Sequence, residues 1–471
     1  MPKSSSSKSA QNTHVRVRMY RQGLGDCFLL CFSDPTSKPF HLVIDSGVLK
    51  GTPDSAAKMR EVAEDIKHET GGNLDALVVT HEHWDHVSGF TEARDTWKDI
   101  EIAEVWLAWT EDPDNNLAKK LRGDRSQRLN ALTAGLKALT DSASLRLDGP
   151  RRDRIDGLLG FFGVGLAAAA EDGGGTKGAL DYIVGRAKKP VYHEPGSSFL
   201  LSNPTGVRIY VLGPPEDEKK IKQSDPSSAN PEVYVDPAHA FAFSGSGEEE
   251  DGGDIDRPFA GDIGTTAADR AAYDRLLKEY FPALVQEGRD PDWRRISCDD
   301  LGALERLALA LDGDTNNTSL ALAIELPDRR VLLFPADAQV GNWLSWQDYT
   351  WKVGAKSIHA NDLLARTVLY KVGHHGSHNA TLKEYGLEKM THRDLMAFVP
   401  VEKAMAQKKR WNMPFPPLFQ RLLEKTRGRV VLADATVALP DPKKLTELTA
   451  TERKRFAQTV TASELSVDIN L

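Results

Sequence analysis

Three imidazoles and a carboxylate fall within six positions in the run Thr80-His81-Glu82-His83-Trp84-Asp85-His86. Packing does not account for that density, because such groups are costly to bury without partners. A divalent cation is the partner that takes nitrogen and carboxylate donors together. On an extended backbone His81 and His83 project to the same side, and Asp85 and His86 turn from the next loop toward a second ion. Hydrolysis is the chemistry such a pair supports: two cations roughly 3.5–4 Å apart lower the pKa of a shared water enough to supply a bridging hydroxide near neutral pH.

Strand ends must hold these side chains. LDALVVT (74–80) is a near-continuous apolar run, the pattern of a strand covered on both faces, and it stops at His81. Upstream, VRVRMY (15–20), CFLLCF (27–32) and HLVID (41–45) read as strands, the last running into Ser46-Gly47. Helical periodicity covers 54–68; IEIAEVWLAW (100–109) is strand-like and 115–145 helical, and the Gly/Ala-rich stretch 157–170 reads as a buried helix or packing loop. Strand character returns at 197–202 and 207–215, then in TSLALAIEL (318–326) and RRVLLFPADA (329–338), joined by a Pro-Asp turn. TVLYKVG (367–373) ends at His374-His375, and LMAFVPV (395–401), a helix over 416–427 and RVVLAD (429–434) close the body. Strand clusters flank a helical middle, and ligand-type residues sit where strands end. That order predicts an α/β fold, a four-layer αββα sandwich with helices outside two facing sheets.

The 471 residues, 40% hydrophobic and 27% charged, suffice for one large domain with insertions. The expected plan is a disordered tail over 1–14, a body over 15–440 with insertions at about 110–190 and 216–315, and a C-terminal extension over 441–471. Residues 216–265 are acidic and rich in Gly, Ser and Pro, which suits a solvated excursion. Sixty basic against sixty-eight acidic residues leave a net charge of −8 and no global pull toward nucleic acid. The three cysteines are too few for a disulfide framework and fit a reducing, cytoplasmic setting. No run reaches the roughly 20 apolar residues of a membrane span. His193 and His378 stand isolated near loops and read as solvated.

In every ligand position the 81–86 run resembles the His-x-His-x-Asp-His signature of the metallo-β-lactamase superfamily. The resemblance implies an αββα fold with one or two zinc, manganese or iron ions. It implies that His81 and His83 bind the first ion and Asp85 and His86 the second, that Asp337 of FPADA (334–338) bridges them, and that VGHHGS (372–377) supplies the last histidine. Between His374 and His375 the sequence does not decide; His375 is favoured as ligand and His374 as a catalytic group facing substrate, with Asp85 also orienting the nucleophile. Asp26 in QGLGD (22–26) and Asp45 in VIDSG (43–47) suit carboxylates that orient loops and metal-bound histidines. Asn316, Asn317 and Ser377 suit either hydrogen bonds to a bound oxyanion or ordinary turn chemistry.

Taken together, these segments resemble the hydrolase domain of ComEC-type DNA-uptake proteins and their soluble relatives, over roughly residues 15–90 and 315–435. One departure stands out. Many superfamily members place another metal-binding histidine just before the strand occupied here by 319–322, where this chain reads Asp314-Thr315-Asn316-Asn317. The first ion would then keep His81, His83, Asp337 and water.

The resemblance therefore implies a metallo-hydrolase with two divalent ions, zinc ahead of manganese, acting as a phosphodiesterase or nuclease on a phosphate-containing substrate. The absence of a dense Arg/Lys cluster with interleaved aromatics favours a nucleotide or single strand over a long duplex. Two alternatives stay open: hydrolysis of a carboxylic ester, lactone or lactam, and a metal-stabilised binding or regulatory module that engages a protein partner through the insertions.

Overall fold

The computed structural model describes residues 13–35, 37–141, 157–164, 175–202, 206–227, 232–234, 297–433 and 445–471. The tail over 1–12 and residues 235–265 of the acidic stretch lie outside the described residues.

Alternating apolar residues build two sheets. The first comprises β1 (His14–Tyr20), β2 (Cys27–Ser33), β3 (Phe40–Ser46), β4 (Asn73–Val78), β5 (Glu101–Ala108), β6 (Ala187–His193), β16 (Val460–Ala462) and β17 (Ser466–Asn470), in the order β16-β17-β1-β2-β3-β4-β5-β6. The second comprises β7 (Ser198–Leu200), β8 (Arg208–Gly213), β9 (Ala321–Glu325), β10 (Val331–Phe334), β13 (Thr367–Lys371), β14 (Met396–Val399) and β15 (Val430–Leu432), in the order β15-β14-β13-β10-β9-β8-β7. A separate hairpin pairs β11 (Thr350–Val353) with β12 (Lys356–His359).

Strand periodicity decides which face each residue takes. Phe28, Leu30, Ala76 and Val78 of the first sheet meet Leu322, Ile324, Phe334 and Phe398 of the second in one buried core. There Phe28 packs edge-to-face on Phe334, with centroids 5.5 Å apart. Alternate residues turn outward: Leu29, Val43 and Leu77 lie under α1 (Ser55–Thr70) and α2 (Trp84–Glu92), and Leu333, Tyr370 and Val399 lie under helical residues such as Trp343, Leu418 and Leu422. Helix, sheet, sheet and helix are thus stacked as the expected αββα sandwich. Each large apolar side chain so buried contributes about 1.5–3 kcal/mol.

The strand directions bring the chemistry to one edge. β3, β4, β5 and β6 run parallel, as do β10, β13, β14 and β15. Ligand sites of parallel sheets lie at strand carboxyl ends, and there β3 presents Asp45, β4 leads into His81, β10 leads into Asp337 and β13 leads into His374. The backbone N–H of Leu320 donates to the Thr80 carbonyl at 2.9 Å and ties the two sheets together at this edge.

Two expected boundaries need correction. The segment expected as an extension contributes β16 and β17 to the first sheet, where β17 pairs with β1 and Asp468 accepts two bonds from the Arg18 guanidinium at 2.7 and 2.8 Å. Short strands with one polar edge carry little period to read, and their partner lies at the other end of the sequence. Likewise the insertion at 110–190 ends earlier, because Ala187–His193 is the sheet's edge strand β6. No described helix is long and apolar enough to cross a membrane.

Candidate metal centre

Backbone strain concentrates where the site forms. Asp45, Ala336, His374 and His375 all have left-handed φ angles, of 57°, 53°, 43° and 54°. Each costs an L-residue of order 1–3 kcal/mol and persists only where its surroundings demand it. Two glycines explain the QGLGD and VIDSG motifs: a Cβ on Gly47 would stand 2.3 Å from the Asp85 carbonyl carbon, and one on Gly25 would stand 2.7 Å from the Asp85 carbonyl oxygen. The first turn of α2 can therefore lie flat on both loops, held by the Asp26 N–H donating to the Asp85 carbonyl at 3.0 Å.

On this frame the side chains converge. His81 Nε2 and His83 Nδ1 face each other at 3.0 Å. His86 has Asp45 Oδ2 at 2.8 Å from Nδ1 and Asp337 Oδ2 at 3.1 Å from Nε2. His375 donates Nδ1–H to the Pro400 carbonyl at 2.7 Å, which leaves Nε2 facing Asp85 Oδ2 at 2.9 Å. Ligand atoms of Asp85, His86, Asp337 and His375 lie within 4.8 Å of one another, and those of Asp26, Asp45 and His86 form a second such group. His81 and His83 join neither group and stand beside them as a pair, their rings 4.7 Å apart and the His81 ring 4.2 Å from that of His86.

All of these side chains are buried, and several polar atoms there have no hydrogen-bond partner among the described residues: Asp85 Oδ1, His83 Nε2 and both ring nitrogens of His374. Buried polar groups seldom stay orphaned. Two acceptors facing each other at hydrogen-bond distance hold together only with a proton or cation between them. The donor set of imidazoles and carboxylates therefore fits divalent metal.

Charge follows the same geometry. Burial drives His83 down to about 3 and His374 to about 4, and holds His81 well below its usual range, so these three rings present lone pairs. Burial pulls His86 down too, but Asp337, Asp45, Asp85 and Asp26 together raise it well above that range. His375 is raised against burial by its bond to Asp85. Without a cation, the surrounding carboxylates thus favour the protonated form of both His86 and His375.

Several residues that build the site went unread in the sequence. Lys371, the one charge in an apolar strand, is wholly buried, with Nζ 2.5 Å from Asp26 Oδ2, 3.2 Å from Asp337 Oδ1 and 3.0 Å from the Ala336 carbonyl. It and the His374 N–H, at 3.0 Å, occupy Asp337 Oδ1 and leave Oδ2 toward His86. Asp312, in α5 (Ser297–Asn316, numbered after α3, Asn116–Asp141, and α4, Gly175–Arg186), is buried with Oδ1 3.8 Å from His83 Nε2. Burial, aided by the Asp85 and Asp337 charges, pushes its carboxyl well above the usual range, and cations on those aspartates would relieve that push. Glu82 points away from the centre, bonded to Arg125 of α3 and, at 3.0 Å, to Thr176 of α4. Phe161 and Phe162 cover His83, with centroids 5.6 and 5.2 Å away, and Phe161 stacks on Trp411.

The oxyanion readings fare differently. The Asn317 amide is spent on protein: it donates to the Ile221 and Gln223 carbonyls and accepts from the N–H groups of Gln339 and Asn342, so it ties loops together and has no donor left for a substrate. Asn316 donates to Asp312 Oδ2 at 3.1 Å, and Ser377 to Asn379 Oδ1 at 3.2 Å. His193 is buried and stacked on Phe199 at 4.8 Å, which corrects its reading as solvated.

A family model described as the metallo-beta-lactamase superfamily matches residues 25–175, which hold Asp26, Asp45 and the whole 81–86 run. Searches of curated proteins and of solved structures each return no match. Over residues 25–175 the chain is thus similar to the metallo-beta-lactamase superfamily, most of whose members are hydrolytic metalloenzymes. Asp337, His374 and His375 lie beyond the matched segment, brought to it by the second sheet.

Proposed function

We propose that the protein is a metal-dependent phosphodiesterase or nuclease holding two divalent ions, zinc ahead of manganese. The observation that carries this reading is the meeting of Asp85, His86, Asp337 and His375 within 4.8 Å, with the His81–His83 pair alongside. His81, His83, Asp85, His86, Asp337 and His375 would hold the ions. When bound, such ions acidify water and offset charge on substrate oxygens.

The chain's own residues do the rest. Asp45 takes the Nδ1 proton of His86, and the Pro400 carbonyl that of His375, so each ring keeps Nε2 toward the centre. Lys371 fixes one oxygen of Asp337 and compensates Asp26. His374, neutral and with no hydrogen-bond partner on either ring nitrogen among the described residues, is the group free to face substrate. Support for a phosphodiester comes from the ComEC-like order of QGLGD, VIDSG, FPADA and VGHHGS, and the free thiols Cys27 and Cys31 suit a cytoplasmic setting.

One observation favours a second reading, ester, lactone or lactam hydrolysis: the Phe161–Phe162–Trp411 wall over His83 and His374 suits an uncharged substrate. Bis(p-nitrophenyl) phosphate, a single-stranded oligonucleotide, p-nitrophenyl acetate and a chromogenic lactam, each assayed with added zinc or manganese, separate the two. Turnover of the phosphodiesters alone is expected; turnover only of the carbon esters overturns the first reading. His83→Ala and Asp85→Ala are expected to abolish turnover with the circular dichroism spectrum unchanged, and full activity in both would end the metal mechanism.

A further inference from the structure

The histidine absent before β9 leaves His83 without the neighbour that the resemblance would supply, and the structure puts a carboxylate on the other side of that ring. His83 Nδ1 faces His81 Nε2, so Nε2 points outward, where it is buried without a hydrogen-bond partner. Asp312 Oδ1 lies 3.8 Å away, likewise buried and unpartnered. Two orphaned atoms of complementary chemistry, buried and just beyond hydrogen-bond reach, are a pair that a small ring movement completes. Asn316 anchors the other oxygen, donating from Nδ2 to Asp312 Oδ2 one helical turn later. The arrangement parallels Asp45 on His86, at the opposite flank of the centre.

We propose that Asp312 is a positioning residue: it accepts the Nε2 proton of His83, fixes that tautomer and so keeps the Nδ1 lone pair on the ion shared with His81. An imidazole carries one proton when it binds metal, and the acceptor of that proton chooses the ligating nitrogen. The inference rests on the two-ion reading above, and its test is a measurement of metal, not of turnover.

Zinc affinity is measured by competition with a chromophoric chelator on full-length protein, wild type and variants, alongside long-range proton–nitrogen spectra of the zinc-loaded, histidine-labelled chain. Wild type is expected to bind two zinc ions and to show His83 protonated at Nε2, with that proton protected from exchange. Asp312→Ala is expected to weaken one of the two ions by about 10–100-fold and to lose the protected proton. Asp312→Asn keeps an oxygen that can accept the bond, so it is expected to fall between the two; it also carries the test should the alanine variant fail to fold. Unchanged zinc affinity in Asp312→Ala, or a wild-type His83 protonated at Nδ1, overturns the role of Asp312 while leaving the metal centre standing. A wild type that binds no zinc overturns both.

Discussion

His86 is gripped at both ring nitrogens, by Asp45 and Asp337, and His375 is gripped by Pro400 and Asp85. Both rings are raised against their burial, chiefly by Asp337 and Asp45 on one and by Asp85 on the other, so each keeps its extra proton to higher pH than an ordinary histidine when no cation is present. A metal ion must displace those protons. Zinc binding is therefore expected to release protons at pH 7 and fewer as pH rises, read from how the calorimetric enthalpy varies with buffer; release that does not change with pH would refute it. Lys371 is the fixed counterpart. Lys371→Met removes the cation that Asp26 and Asp337 share in the interior, and urea denaturation of the metal-free protein should show a loss of about 3–5 kcal/mol; an unchanged midpoint would remove Lys371 from that role. The ligands at 81–86 were legible because they are consecutive and too dense for packing. Lys371 and Asp312 were not, since each is a lone charge in an element whose other residues read as ordinary strand or helix.

At the scale of elements, the site depends on how closely α2 approaches the loops after β1 and β3. Gly47→Ala forces its new methyl into the Asp85 backbone. The expected result is a loss of roughly 1–3 kcal/mol by thermal denaturation together with weaker zinc binding, because Asp85 moves with its peptide. Gly123 in α3, whose Cβ would meet nothing within 4 Å, is the control; Gly123→Ala should gain about 1 kcal/mol. If both variants behave alike, the close approach is not what the glycine serves. The strands around this contact were readable from their apolar runs, and the motif glycines marked the tight loops. The cover formed by Phe161 and Phe162 was readable as buried but not as seated on His83, since burial patterns name a face and never its partner.

Over the whole molecule, acid sensitivity reports buried rings outside the centre as well. His193, stacked on Phe199 and edge-on to Trp106 at the edge of the first sheet, is driven by burial down to about 4. A depressed folded-state value means the unfolded chain takes up the proton first, so this contribution is whole above about pH 6.5 and is lost as pH falls toward 4. His193→Phe should therefore flatten the decline of stability across that window by up to about 3 kcal/mol, measured as denaturation midpoints at several pH values; an identical slope would contradict it. The αββα plan followed from the order of strands and helices, whereas the partner of β1 did not, because pairing across so long a separation leaves no local trace in either segment.

That pairing sets a timetable. Arg18 and Asp468, which clasp β1 to β17, are 450 residues apart, and Asp85 and His375 are 290 apart. A ribosome adding about 5–20 residues per second needs roughly 15–60 s to pass from Asp85 to His375. Throughout that interval the histidines at 81–86 stand on a nascent chain that has yet to supply His375.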